Sequence, residues 1–180
     1  MIRMVFSGYG GQGVLVLGEI VATIAMKKGK HVTWMPSYGP EMRGGTANCA
    51  VIVSDKVIGS PIVLSDIDIL VAMNHPSVDK FLPKVSPNGL VMVNSSIVTD
   101  KVTAENADIM EIDATNIAVK VGNPRVANMV MLAGFLKKTQ LFTLEDITEV
   151  LEQRFAGTRS MDLIPLNIQA IKTGMEQTAG

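Results

Sequence analysis

One cysteine, two histidines, one tryptophan and a thin share of charged residues are what this 180-residue sequence has least of. The single cysteine, Cys49, rules out an internal disulfide, and the chain has no Cys pair or His/Cys cluster at metal spacing. Structural zinc and a self-contained iron–sulfur cluster are therefore excluded. Sixteen Lys and Arg against seventeen Asp and Glu leave a formal net charge of −1, so no basic field exists to hold nucleic acid or an anionic membrane. No stretch reaches the ~18 apolar residues of a membrane span. Arg3 ahead of apolar residues imitates a secretory leader, but Gly8, Gly10, Gly11, Gln12 and Gly13 interrupt it and Glu19 follows. A reduced, cytoplasmic protein is expected.

Charged residues make up 18% and hydrophobic ones 47%, where typical soluble domains carry about 25% charged residues. Two accounts fit this surplus of apolar residues: a parallel sheet buried on both faces, or a subunit that hides apolar area against partners. The second predicts tight binding to other chains, or a homo-oligomer when the chain is isolated. At about 100–200 residues per domain, residues 1–180 read as a single domain, long enough to bury about 70% of its unfolded surface.

Ile2 to Ser7 reads as a strand, the glycine cluster behind it as a turn, and Val14 to Lys28 as a helix. His31 to Met35 is a second strand, closed by the turn cluster Pro36 to Pro40, and Thr46 to Val53 is a third. Asp66 to Met73 and Gly89 to Asn94 are apolar runs bounded by Pro, Gly and Asn, the pattern of interior parallel strands, with a short helix around Ser77 to Leu82 between them. Ile109 to Asp113 is a shorter strand. The pattern then turns helical, over Thr115 to Lys120, Pro124 to Lys138, Leu144 to Phe155 and Pro165 to Gln177. Pro124 suits a first helical turn, and Thr143 with Asp146 makes a capping box. The fold expected is a single Rossmann-like α/β domain, with a mostly parallel open sheet flanked by helices and a helix-rich C-terminal half.

Gly8-Tyr9-Gly10-Gly11-Gln12-Gly13 matches G-x-G-x-x-G directly after a strand and at the start of a helix. Glycines let backbone N–H groups approach a phosphate, and the helix N-terminus adds partial positive charge. Such a turn also serves plain strand-to-helix packing, and both readings stand. A dinucleotide site wants an Asp or Glu ending the second strand; Met35, Pro36 and Ser37 stand there instead, and no Lys follows the glycines as a Walker A loop requires. NAD is disfavoured, whereas a phosphate-bearing ligand of another kind survives.

Met35 to Cys49 is the most informative segment. Ser37, Tyr38, Glu41, Arg43, Thr46 and Asn48 supply polar groups on a Pro- and Gly-rich frame, at the strand end where open sheets bind ligands. Arg43 beside Gly44 and Gly45 is a planar donor fork next to unhindered backbone, suited to phosphate or carboxylate. A Glu41–Arg43 surface pair that merely fixes the crossover is the plainer alternative.

On these residues the sequence resembles the gamma subunit, or catalytic domain, of the 2-oxoacid:ferredoxin oxidoreductases. The matching blocks are Gly8 to Val14, Pro36 to Cys49, Ser60-Pro61, Asp113-Ala114-Thr115, and Gly122-Asn123-Pro124-Arg125 through Asn128, which together span nearly the whole chain. Pyruvate-type members carry a Glu-Arg-Arg-Gly-Ala-Pro-like loop; Glu41-Met42-Arg43-Gly44-Gly45-Thr46-Ala47-Asn48 looks more like the 2-oxoglutarate and ketoisovalerate types. The resemblance implies a complex that converts a 2-oxoacid, CoA and oxidised ferredoxin to acyl-CoA, CO2 and reduced ferredoxin. It places thiamine diphosphate and the iron–sulfur clusters on sister subunits, since this chain has neither a Gly-Asp-Gly diphosphate motif nor a cysteine set. No catalytic residue or metal ligand is assigned to this chain. The residues implied to help hold CoA are Gly8, Gly10, Gly11, Gln12, Gly13, Ser37, Tyr38, Glu41, Arg43, Gly44, Gly45, Thr46 and Asn48.

Other residues read more plainly. Cys49, in an apolar strand with no histidine near in sequence, reads as a small hydrophobe. His75, in Asn74-His75-Pro76, reads as a helix-start turn before a ligand contact. Asn123, Arg125 and Asn128 open a late helix, as a subunit contact or as part of the site. Twelve methionines serve as soft core filling or as adaptable partner surface. Two other function classes compete: a stand-alone nucleotide-binding or sensing module, and a flavodoxin-like electron carrier. The carrier is disfavoured because the segment between Ser7 and Val14 lacks a hydroxyl-rich phosphate loop.

Overall fold

A computed structural model describes residues 1–37 and 46–178, apart from the side chains of Thr46, Arg159 and Ser160. β1 (Ile2–Tyr9) is followed by α1 (Val14–Lys27), β2 (His31–Ser37), β3 (Thr46–Ser54), β4 (Ile67–Ala72), α2 (His75–Phe81), β5 (Val85–Asn94) and β6 (Ala107–Ile112). Four helices complete the chain: α3 (Ala114–Val121), α4 (Ala127–Thr139), α5 (Leu144–Phe155) and α6 (Ile164–Gln177). The six strands form one sheet in the order β2-β3-β1-β4-β5-β6. The pairings β1–β4, β4–β5 and β5–β6 are parallel, while β3 runs antiparallel to both β1 and β2.

Alternation along β1 sends Met4 and Phe6 to one face and Val5 to the other. The first face carries the main core, covered by α1 and α3 to α6; the second is covered by α2, whose Val78 and Phe81 pack with Val5, Leu70 and Val91. Burial on both faces is why β4 from Ile69 onward and the end of β5 read as apolar runs. Residues 127–136 of α4 are buried without interruption, because this helix lies between the sheet and the helices packed over it.

Three expectations need correction. β2 does not end at Met35: Pro36 pairs with Cys49 and Ser37 with Asn48. The proline is tolerated because β2 is an edge strand, where a missing N–H on the open side breaks no ladder bond. The helix expected from Pro124 is divided: Pro124–Val126 is a 3-10 turn whose Arg125 N–H is held by Asn123 Oδ1 at 3.0 Å, and α4 starts at Ala127. The strand expected over Gly89 to Asn94 starts earlier, at Val85, with a register shift against β4 between Ile67 and Ile69. The capping box holds as expected: Asp146 N–H donates to Thr143 Oγ1 at 3.2 Å, and Thr143 N–H donates to Asp146 Oδ2 at 2.8 Å.

Helix α1 approaches the sheet closely at Gly18. A methyl group there would strike Cys49 Sγ and press on Trp34 Nε1 and Val51 Cγ2, both at 3.3 Å. Gly18→Ala is therefore expected to destabilise the fold by about 1–3 kcal/mol through overpacking, outweighing the better helix propensity of alanine. Cys49→Ala removes the struck atom, so the double variant recovers part of the loss. Urea titration of both single variants and the double variant checks this, and strictly additive losses would refute the contact.

Candidate functional site

The C-terminal ends of β1, β2, β4, β5 and β6 and the start of β3 share one edge of the sheet. From that edge α1 leaves β1 toward one face, and α2 leaves β4 toward the other. The gap between β1 and β4 is thus the topological switch point, where open α/β sheets leave a crevice.

The glycine cluster sits at this point and is shaped by close approach. A side chain at Gly8 would meet Gln12 Oε1 at 2.6 Å, Met73 Cβ at 2.8 Å and Val14 Cγ1 at 2.9 Å. Gly11 and Gly13 hold φ of 94° and 72°, the left-handed region that disfavours a side chain. Gln12 folds back across the turn: its Oε1 accepts the Tyr9 N–H at 2.6 Å and its Nε2 donates to the Met73 carbonyl at 3.3 Å. Met73 N–H in turn donates to the Ser7 carbonyl at 2.8 Å. The turn of β1 and the exit of β4 are stitched together. Gly13 precedes α1 without a side-chain cap and no acid follows in the first helical turn, so the helix presents its N–H groups without an internal counter-charge. Asn128, 6% exposed on α4, donates from Nδ2 to the Gly13 carbonyl at 3.4 Å.

Of the loop residues singled out from sequence, Tyr38, Glu41, Arg43, Gly44 and Gly45 lie outside the described residues. The strands that carry them are described. Thr46 pairs with Tyr9, so the chain re-enters the sheet beside the glycine turn. Ser37, Asn48 and Ser7 form one row across β2, β3 and β1. Cys49 points into the α1 core, so Asn48 faces the α2 side.

The structure adds polar residues that the sequence reading passed over. Ser7 Oγ donates to Ser77 Oγ at 2.8 Å, and Ser77 Oγ donates to Asn74 Oδ1 at 2.6 Å, tying α2 to β1. Asn94, fully buried at the end of β5, donates from Nδ2 to Thr115 Oγ1 at 2.9 Å and accepts the Thr115 N–H at 3.4 Å. Asn74 and Asn94 share one readable signal, an asparagine directly after an apolar strand run. Arg125 and Asn128, left open between subunit contact and site, both border the glycine turn.

Two titratable residues are accounted for. Burial pushes the Cys49 thiol up to about 12, which makes it inert, as the apolar strand suggested. His75 does open α2; its Nδ1 lies 3.2 Å from Asp79 Oδ2 and its Nε2 lies 3.1 Å from Asp100 Oδ2. No helix among the described residues is long and apolar enough to cross a membrane.

A family model described as pyruvate ferredoxin/flavodoxin oxidoreductase matches residues 3–177. The chain is 38% identical over 177 residues to the ketoisovalerate oxidoreductase subunit VorA of Methanothermobacter thermautotrophicus, a match covering 97% of the chain and 36% of that relative. The chain thus spans about a third of that relative's length. Among solved structures, the gamma subunit of a keto/oxoacid ferredoxin oxidoreductase from Geobacter sulfurreducens superposes with a TM-score of 0.81 at 31% identity, over 98% of this chain and 97% of that one. A 2-oxoglutarate:ferredoxin oxidoreductase from Magnetococcus marinus, solved with 2-oxoglutarate, coenzyme A and succinyl-CoA bound, shares the fold with a TM-score of 0.86 at 20% identity, over 97% of this chain and 30% of that one.

The His75 tie has a definite pH dependence. The hydrogen bond and charge of Asp79, then those of Asp100, raise the His75 pKa above its ordinary value. A raised folded-state pKa means that the tie contributes fully below the unfolded value near 6.5 and is lost as pH rises through the raised one. NMR titration of the imidazole should give a lower pKa in both Asp79→Asn and Asp100→Asn, with the larger drop in the former. No change in either variant would refute the tie.

Proposed function

Because the chain belongs to the pyruvate ferredoxin/flavodoxin oxidoreductase family, we propose that it is the gamma-type part of a 2-oxoacid:ferredoxin oxidoreductase, contributing to CoA binding and to assembly of the complex. The reaction proposed for the whole complex takes a 2-oxoacid, CoA and oxidised ferredoxin to acyl-CoA, CO2 and reduced ferredoxin. Thiamine diphosphate and the iron–sulfur clusters belong to sister subunits in this reading: the one cysteine here is buried, and cluster ligation takes several thiolates. The isolated chain should accordingly show no turnover.

The observation that carries the CoA assignment is the placement of the glycine turn. It lies at the switch-point edge with an uncapped helix start behind it and no acid in the first turn of α1, a setting that favours phosphate oxygens. The loop bearing Arg43 returns to the sheet next to it, through the pairing of Thr46 with Tyr9. Both elements would then act on the phosphates of CoA, while decarboxylation proceeds on the thiamine-bearing subunit. For the oxoacid, 2-oxoglutarate is the first compound to test, with 2-oxoisovalerate beside it, since the Glu41 to Asn48 loop resembles both types and the VorA relative is named for ketoisovalerate.

In the assembled enzyme, Arg43→Ala should raise the apparent CoA requirement roughly ten- to a hundredfold, the loss of one charge-assisted contact. The CoA-independent half-reaction, decarboxylation of the oxoacid, should be largely intact. Steady-state kinetics against CoA and single-turnover CO2 release separate the two. A variant that assembles, keeps its CoA dependence and loses decarboxylation assigns the loop to the thiamine site instead.

A further inference from the structure

We infer that the open edge of β2 is a self-association surface: two copies of this chain join by antiparallel pairing of their β2 strands about Thr33, so that two six-stranded sheets become one continuous sheet. The pairing is independent of what the glycine edge binds.

The alternation of hydrogen bonds across the sheet identifies which backbone groups face outward. At β1 the Ser7 carbonyl accepts the Met73 N–H at 2.8 Å, and the Arg3 N–H donates to Asp68 Oδ2 at 2.7 Å. Arg3, Val5 and Ser7 thus turn their backbone groups toward β4, and Phe6 turns toward β3. Cys49, paired with Phe6, therefore turns toward β1, and Pro36, paired with Cys49 from the other side, turns away from β3 to the open edge. Trp34 and Val32 share that orientation. The window of free donors is closed at both ends: Pro36 has no N–H, and the Lys30 N–H is taken by the Ala25 carbonyl at 3.1 Å. Between them stand the N–H groups of Val32 and Trp34 with their carbonyls, placed symmetrically about Thr33.

A second copy answers this window. In an antiparallel pairing centred on Thr33, Val32 exchanges both bonds with the partner's Trp34, and Trp34 exchanges both with the partner's Val32. Each free donor meets an acceptor, and Pro36 comes opposite the partner's Lys30, where neither has an N–H left to place. The side chains suit the same partner. Val32 to Ser37 carry no charge, so two like edges meet without repulsion. Val32 packs on the main core, and the Trp34 indole borders Gly18 of α1 on the same face; the pairing sets each Trp34 across from a Val32, an aromatic and β-branched pair of the kind that stabilises sheets. Trp34 and Met35, one on each face, are 38% and 40% exposed in the single chain. The other edge strand is built differently. β6 exposes Asp108 and Glu111, and Asp108 pairs with Lys138 at 2.8 Å; charged side chains of this kind keep an edge strand solitary. β2 has no such guard beyond the proline that ends its window.

The test is sedimentation velocity of the full chain and of Thr33→Lys over a concentration series, with oxidative cross-linking of Thr33→Cys and His31→Cys. Across the two-fold axis the Thr33 residues face each other as a non-hydrogen-bonded pair, with Cα atoms about 4.5 Å apart, inside the disulfide range of about 4.4–6.8 Å. The two His31 residues stand about four residues apart along the strands, roughly 13 Å. The unaltered chain should dimerise as its concentration rises, and Thr33→Lys should weaken the dimer roughly tenfold or more by setting like charges opposite each other. Thr33→Cys should form a disulfide-linked dimer and His31→Cys should not; Cys49 is buried and does not compete. If Thr33→Lys lowers the urea midpoint, the two cysteine variants decide alone. A chain that stays monomeric throughout the series overturns the inference, as does a dimer that persists in a well-folded Thr33→Lys or a His31→Cys chain that cross-links as readily as Thr33→Cys. An edge left open by the chain alone and filled only when sister subunits are added overturns the second copy as its occupant.

Discussion

The side chain of Gln12 closes the end of β1. β1 is paired on both edges and covered on both faces, so the peptide groups at its exit must find partners within the next few residues. Gln12 Oε1 takes the Tyr9 N–H, the Gln12 backbone N–H goes to the Tyr9 carbonyl at 3.1 Å, and Gln12 Nε2 reaches the exit of β4 at Met73. Because this one side chain satisfies the turn from inside, the glycines around it keep their outward backbone surface open. The cost is steric: Gly8 has no room for a Cβ, and Gly13 is crowded by Asn128. Packing and phosphate binding, the two readings of the glycine cluster, are therefore compatible, since the same glycines that admit the stitch leave the edge bare.

Charge near the glycine turn differs from charge at the far end of α1. The ion pairs Lys28–Asp146 and Lys30–Asp55, at 2.9 and 2.5 Å, lie at the far end of α1, where β2 begins and β3 ends. They are solvent-facing and contribute little to stability individually. They do, however, pair those carboxylates at the end opposite the glycine turn. Beside the glycine turn, Arg125 stands unpaired among the described residues, near a helix N-terminus without an acid in its first turn, while Asp113 follows β6 farther along the same edge. A chain with net charge −1 can thus still offer a local positive field, because the sum over the molecule says nothing about one edge.

What was legible in the sequence divides along the range of the interactions. The Thr143–Asp146 capping box and the glycine turn are local chemistry, and each appears where its residues stand. The extension of β2 through Pro36 was not legible, because a proline is acceptable in a strand only if that strand is at an edge, and edge position is set by the whole sheet. The insertion of antiparallel β3 between β1 and β2 is likewise a property of the topology. It also moves the place the dinucleotide motif refers to: an acid ending β2 would stand two strands away from the glycine turn. Asn94 and Ser77 were missed because each is a single polar residue bordering apolar ones, and only the third dimension shows that Asn94 holds Thr115 and that Ser77 meets Ser7.

The charge-poor composition resolves into two contributions. The doubly buried strands account for one, with Val5, Leu70, Val71, Val91 and Met92 each at most 2% exposed. The other is concentrated in the connection from β3 to β4, where Val57, Ile62 and Leu64 are 78%, 55% and 76% exposed. Apolar side chains gathered this closely in one connection stand apart from the single exposed hydrophobics that any surface carries. The same side of the sheet is covered by one short helix, α2, against five helices on the opposite face. The uneven cover of the sheet is consistent with the second account of the composition, apolar area held for a partner, beside the doubly buried strands that carry the first.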